Sequence, residues 1–118
     1  MATGKPSLQD FVEKFVGGNY FVRVSEVTVT TSPTRVLQGD MERMAATIIN
    51  TGAEQISVSP LRTVTATNGV ILGEGGGSLA LQANEDLVLV GWDWWAVTSA
   101  ATTTVVTMEV IRFNQGDV

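Results

Sequence analysis

The length, composition and charge of the chain exclude several classes of protein. With 118 residues, of which 44% are hydrophobic and 16% charged, the chain is long enough for one domain and too apolar to be disordered, and its net charge of −5 argues against nucleic acid as a partner. Neither cysteine nor histidine occurs, so disulfides, zinc sites with nitrogen or sulfur ligands and Ser-His or Cys-His catalysis are excluded, and we expect no enzyme, no metal and no cofactor.

The first predicted element is a short amphipathic helix in SLQDFVEKF. Ser7 can cap its start, with Asp10 three residues later, and Gly17-Gly18 end it. The following apolar side chains recur at helical spacing and form one stripe: Leu8, Phe11, Val12, Phe15 and Val16. We therefore divide the chain into an N-terminal arm, residues 1–19, and a β-sandwich domain, residues 20–118.

The apolar stripe of this helix must be buried somewhere, because a helix of about ten residues is marginally stable alone. It can form a lid on the β-core of its own chain, or an arm that packs on a neighbouring subunit. The small and polar flanks, ATGKP before it and GGNY after it, favour the arm.

From Tyr20 onward the pattern is that of β-structure, with Val, Thr and Ile interrupted by Gly, Asn, Asp and Pro. It predicts strands near residues 20–31, 34–38, 42–50, 54–59, 61–67, 78–82, 86–97 and 103–113. Short strands at this spacing predict a mainly β fold, a small antiparallel β-sandwich or jelly roll with a short N-terminal helix. Val22 and Val24 differ in parity from Val27 and Val29, and a bulge near Ser25-Glu26 would place all four on one face.

The glycine-rich segment NGVILGEGGGSLAL, residues 68–81, has two interpretations. Its backbone could cradle a phosphate at Gly73, Gly75, Gly76 and Gly77. The spacing matches neither G-x-G-x-x-G nor a P-loop, and no predicted helix follows it. A mobile loop, or a set of turns with positive φ, is therefore favoured.

All three tryptophans lie in the segment GWDWWAV, residues 91–97. Strand alternation would direct Val88, Val90, Trp92 and Trp94 to one face, and Leu87, Leu89, Gly91, Asp93 and Trp95 to the other. Because both faces would be partly apolar, the strand would lie between two layers or against a neighbouring subunit. Asp93 would then need a partner among Arg23, Arg35, Arg62 and Arg112.

Three functions compete for the tryptophan segment. It could be a sugar-stacking platform with Asp93 as its polar group, or a catalytic site with Asp93 opposite Glu109. The interpretation we favour is a tryptophan wall in the core or at a seam between subunits, because aromatic side chains bury large areas at interface centres.

Residues 43–113 contain a characteristic sequence pattern of turns and strands. Its segments are Ile48-Ile49-Asn50, residues 69–72, residues 76–81, Trp95-Ala96-Val97 and residues 101–109. This pattern resembles that of small β-sandwich virion proteins of tailed bacteriophages, of the capsid decoration (cement) or head-fibre type. The resemblance implies a structural virion protein on the outer surface of the capsid, which binds the major capsid protein and stabilises the head. Its motifs carry no chemistry, and tail, neck and fibre modules share them.

A homo-oligomer, expected to be a trimer, agrees with the low charge, which suggests that another chain covers part of the surface. We expect no membrane partner, because the longest apolar run is far too short to span a bilayer, and no signal peptide is visible. A small carbohydrate-binding sandwich is the remaining alternative. The candidate interface residues are Leu8, Phe11, Val12, Phe15, Trp92, Trp94 and Trp95.

Overall fold

The computed structural model describes residues 19–113, apart from the side chains of Asn19, Leu87 and Phe113. The predicted N-terminal helix lies outside these residues. The elements are β1 (Asn19–Val29), β2 (Thr34–Leu37), β3 (Arg43–Asn50), β4 (Ile56–Ser59), β5 (Val70–Leu72), β6 (Gly77–Gln82), α1 (Ala83–Asp86), a 3-10 turn (Leu87–Gly91), β7 (Trp94–Thr98) and β8 (Thr103–Phe113).

The strands form two antiparallel sheets of four strands each. Sheet A has the order β1-β8-β3-β6, and sheet B has the order β2-β7-β4-β5. Within the sheets the first strand pairs with the last, the second with the seventh, the third with the sixth and the fourth with the fifth. This nested pairing is that of an eight-stranded jelly roll, and it confirms the predicted mainly β fold class.

The hydrophobic core lies between the two sheets. Alternate residues of a strand point to the same face, so every second residue of each sheet faces the core. Its buried members are Val29, Val36, Leu37, Ala46, Ile48, Ile56, Val58, Leu72, Leu81, Val90, Trp94, Ala96 and Val105. The described residues thus close a core of their own.

The prediction of a strand at 86–97 is wrong over its first half. Residues 83–91 form α1 and the 3-10 turn, and β7 begins only at Trp94. A run such as LVLV, residues 87–90, is apolar without alternation and does not distinguish a buried strand from a helical turn. The Asp86 carboxylate accepts a hydrogen bond of 2.7 Å from the backbone amide of Gln82, which favours the turn at this point. Across residues 19–113, no helix has the length and apolar character needed to cross a membrane.

Two further predictions about strands are wrong. Residues 61–67 form turns, and the strand that follows is β5, at Val70–Leu72. No bulge interrupts β1, whose pairing with β8 is continuous from Asn19 to Val29. Val22 and Val24 therefore stay on the outer face of sheet A, where they are 55% and 60% exposed.

Candidate interaction surface

The structure separates the three tryptophans. Trp94 is buried in the core of its own chain and donates its indole N–H to the Leu89 carbonyl at 2.9 Å. Trp95 points to the other side of β7 and is half-buried, with the Arg62 guanidinium 5.4 Å from its ring centroid. Trp92 precedes the strand and is exposed. Of the predicted interface tryptophans, Trp92 and Trp95 are therefore the ones that a partner could contact.

Exposed apolar side chains occur on the two segments that adjoin Trp92, the β2–β3 loop and the 3-10 turn. Met41, Val88 and Trp92, which we call the Trp92 patch, are 71%, 56% and 41% exposed. The loop of Met41 is held against the 3-10 turn by a hydrogen bond of 2.9 Å from the Asp40 amide to the Gly91 carbonyl. Large exposed apolar side chains on adjoining segments are typical of a protein–protein contact.

Asp93 is part of the scaffold beneath Trp92. Its carboxylate accepts the backbone amide of Gly39 and lies 3.9 Å from a terminal nitrogen of Arg35. Arg35 was one of the four partners predicted for it. The carboxylate thus ties β7 to the end of β2, and one of its oxygens already has a hydrogen-bond donor.

A buried ion cluster lies behind the same end of the sandwich. Arg43 is buried in sheet A and donates to Glu109 at 2.9 Å. Arg23 donates two hydrogen bonds to the same carboxylate, at 3.1 and 3.0 Å. Arg43 also donates to the carbonyls of Val90 at 2.8 Å, Trp92 at 3.1 Å and Gln38. The arginine thereby ties the β2–β3 loop, the 3-10 turn and Trp92 to sheet A.

The electrostatics of this cluster oppose a catalytic role for Glu109. Burial alone would raise the pKa of Glu109, but the hydrogen bonds from Arg23 and Arg43 outweigh it and hold that pKa below its ordinary value. A carboxylate held ionised by two guanidinium groups is a poor general acid. The arrangement is that of a satisfied structural ion cluster, and it opposes a general-acid role for Glu109 in the predicted pair with Asp93.

Sequence reasoning missed the cluster, although β8 carried a signal. Glu109 has the same parity as Val105, Thr107 and Ile111, whose side chains are buried. A charged residue at an inward position needs a buried partner. Arg43, at the start of a strand, was the available cation on β3.

The glycine-rich segment forms a turn between β5 and β6. Gly75 and Gly76 have φ of 68° and 126°, which agrees with the prediction of turns with positive φ. Their amides donate to the carbonyls of Gly52 at 3.0 Å and Asn50 at 2.7 Å, so these donors are already used within the protein. The turn is a connection between sheets and does not have the open amides of a phosphate cradle.

The predicted interface residues Leu8, Phe11, Val12 and Phe15 lie outside the described residues. Within residues 19–113, no group of three or more Asp and Glu side chains is placed to hold a metal ion.

Comparisons with known proteins find a likeness in fold. No protein-family model matches the sequence, and no curated protein matches it. A solved structure of Bacillus endospore appendages, which form a novel family of disulfide-linked pili, is similar with a TM-score of 0.51 and 12% identity, over 80% of this chain and 88% of the other. At that identity the likeness concerns the fold alone.

Proposed function

We propose that this chain is a structural protein of a bacteriophage particle. In this role it is a capsid decoration protein, which binds the major capsid protein on the outer surface of the head and stabilises the head against the pressure of packaged DNA. It acts as a homo-oligomer, expected to be a trimer, whose repeated weak contacts add through effective concentration.

The observation that carries this proposal is the Trp92 patch. Trp and Met are enriched at the centres of interfaces, and tryptophan is a frequent hot spot. The buried Arg43 holds the Trp92 carbonyl, so the backbone beneath the patch is fixed before a partner arrives. A fixed surface loses little conformational freedom on binding, which favours affinity.

Two further points support the proposal. The sequence pattern of turns and strands in residues 43–113 resembles that of phage decoration and head-fibre proteins. The Bacillus appendage structure is an example of a similar fold in a protein that assembles into pili. Those pili are disulfide-linked, whereas this sequence has no cysteine, so its own assembly would rest on noncovalent contacts.

The experiment that tests the proposal is rebinding to phage heads. Purified protein is added to particles of a phage from which its gene has been deleted, and bound protein is measured after co-sedimentation. The wild type should bind heads saturably, and Trp92→Ala should weaken binding by about thirtyfold or more, the level of a hot spot. Ile71→Ala is the matched control, because Ile71 is similarly exposed, at 44%, on the distant edge strand β5.

Absence of wild-type binding to heads would contradict the decoration function. Binding to tails or necks instead would assign the chain to another part of the particle. This is the alternative of a tail, neck or fibre module, whose sequence pattern is similar.

A carbohydrate-binding sandwich is the second candidate, because the ring of Trp92 is exposed beside Asp93. The decoration function predicts that a glycan array stays blank for the native protein. A glycan bound by the wild type and lost in a folded Trp92→Ala variant would favour the sugar platform.

A further inference from the structure

We propose that the amphipathic segment of residues 8–16 folds back within its own chain and covers the outer face of sheet A. This surface, which faces away from the core, comprises the apolar side chains of Val22, Val24, Ala45, Ile49, Val106, Met108 and Val110. The inference is independent of the function proposed above, because the Trp92 patch lies on loops outside this sheet.

The register of sheet A places these side chains together. Val22 lies opposite Val110, and Val24 lies opposite Met108. On the other side of β8, Ala45 lies opposite Val110 and Ile49 opposite Val106. Paired residues of an antiparallel sheet project to the same face. Strands β1 and β8 therefore present a continuous aliphatic surface, with Val24 60% and Met108 44% exposed. On β3, Thr47 lies opposite Met108 and separates Ala45 from Ile49.

The outer face of sheet B differs, because the chain itself covers it. Ser57 and Val97 are paired on that face, yet both are buried. The loop between β4 and β5 accounts for this, since the Gly69 amide donates to the Ser57 hydroxyl at 2.9 Å and Val64 in the same loop is buried. An antiparallel sheet with one solvated face ordinarily carries polar residues there. Sheet A instead carries an aliphatic surface that no described residue covers in this way.

The segment outside the described residues has the right composition, place and length to cover this surface. Its stripe holds two phenylalanines, a leucine and two valines, and only Gly17-Gly18 separate it from β1. Connections of two to six residues are ordinary between a helix and a strand. Nine helical residues would extend about 13 Å, and about four residues of a strand span the same distance.

That distance agrees with the distribution of apolar residues along β1. A helix of that length that began beside Tyr20 would extend as far as Val24. It would therefore cover Val22, Val24 and the residues of β8 that pair with them. Beyond this point the outer-face residues of β1 are polar, Glu26 and Thr28. The aliphatic surface thus lies where a segment folded back from Asn19 would rest. This position favours the same chain, whereas the flanking sequence alone favoured an arm on a neighbouring subunit.

Cysteine labelling tests the proposal in the full chain, which has no cysteine of its own. Single variants Val24→Cys and Thr28→Cys are treated with a maleimide, and labelling rates are compared with those in a Phe11→Ser, Phe15→Ser background. We expect Val24→Cys to react about tenfold more slowly with the intact stripe than without it, as for a covering segment docked about nine-tenths of the time. Thr28→Cys should react equally fast in both backgrounds, and Lys14→Ser, off the stripe, should leave protection intact.

Concentration separates the same chain from a second copy. Covering within one chain predicts protection of Val24→Cys that is independent of protein concentration. Protection that appears only as concentration rises would overturn the proposal, and so would equal labelling of Val24→Cys with and without the stripe. Should the double serine variant fail to fold, equal rates for Val24→Cys and Thr28→Cys in the otherwise unchanged chain would overturn it as well.

Discussion

Glu109 shows how one residue joins the core of this protein to its surface. Its carboxylate binds Arg43, and Arg43 in turn binds the carbonyls of Val90 and Trp92. Breaking a buried pair by removing one partner leaves an uncompensated charge, which costs about 3–5 kcal/mol. The orientation of the Trp92 patch therefore depends on an ion pair inside sheet A.

Acid should weaken this cluster in a predictable direction. Because the pKa of Glu109 is lower in the folded protein than its ordinary value, its stabilisation is present above about pH 4.3 and is lost as pH falls through the folded pKa. Glu109→Gln cannot ionise and should show a smaller loss of thermal stability between about pH 6 and about pH 3. Thermal unfolding of both proteins measures this, and equal losses would contradict the role of the Glu109 charge.

Truncation of Trp94 should lower the free energy of unfolding much more than truncation of Trp92. Trp94→Ala removes a buried core side chain and should lower the free energy of unfolding by about 3–5 kcal/mol. Trp92→Ala removes a side chain that is 41% exposed, and it should lower the free energy of unfolding by only about 1 kcal/mol. Denaturant titration checks both values. A large loss of stability in Trp92→Ala would show that the ring is part of the core.

At the scale of elements, the turn after β3 is fixed by a side-chain clip. The buried Asn50 amide donates to the carbonyls of Glu54 at 2.6 Å and Leu72 at 3.2 Å, and its oxygen accepts from the Thr103 hydroxyl at 3.1 Å. One side chain thus joins the turn to β5 and to the start of β8.

Gly52 sits in this turn, and a methyl group there should be destabilising. A Cβ on Gly52 would overlap the Thr103 hydroxyl and lie 2.7 Å from the backbone nitrogen of Thr104. Gly52→Ala should therefore lower stability by about 1–3 kcal/mol, as overpacking does. Gly73→Ala is the control, because a Cβ there meets nothing within 4 Å. Equal midpoints of thermal unfolding for the two variants would contradict the packing described for the turn.

The sequence predicted elements best where apolar and polar residues alternate or where turn residues mark their ends. The predicted strand 103–113 coincides with β8, and the predicted strands at 34–38 and 42–50 are within one residue of β2 and β3. Residues 87–90 are apolar without alternation, so periodicity could not distinguish a strand from a turn. The outward position of Val22 and Val24 was missed because the assumed bulge rested on the rule that valines are buried. Met41 could not be placed near Trp92 from the sequence, because only the hydrogen bond between the β2–β3 loop and the 3-10 turn brings it there.

At the scale of the whole molecule, the account predicts self-association. Besides the Trp92 patch, sheet A has β1 as an edge strand of 11 residues, and the backbone of a long edge strand favours pairing between chains. Light scattering should return the mass of a trimer. A stable mass of 12.6 kDa at micromolar concentrations would contradict assembly in solution.

The copy number of the chain in purified virions is the sharpest test of the decoration function. Quantitative mass spectrometry would compare its abundance with that of the major capsid protein in the same particles. A decoration protein occupies sites repeated over the whole head, so the account predicts hundreds of copies per particle, in a fixed ratio to the capsid protein. About a dozen copies or fewer, or absence from the virion, would contradict it.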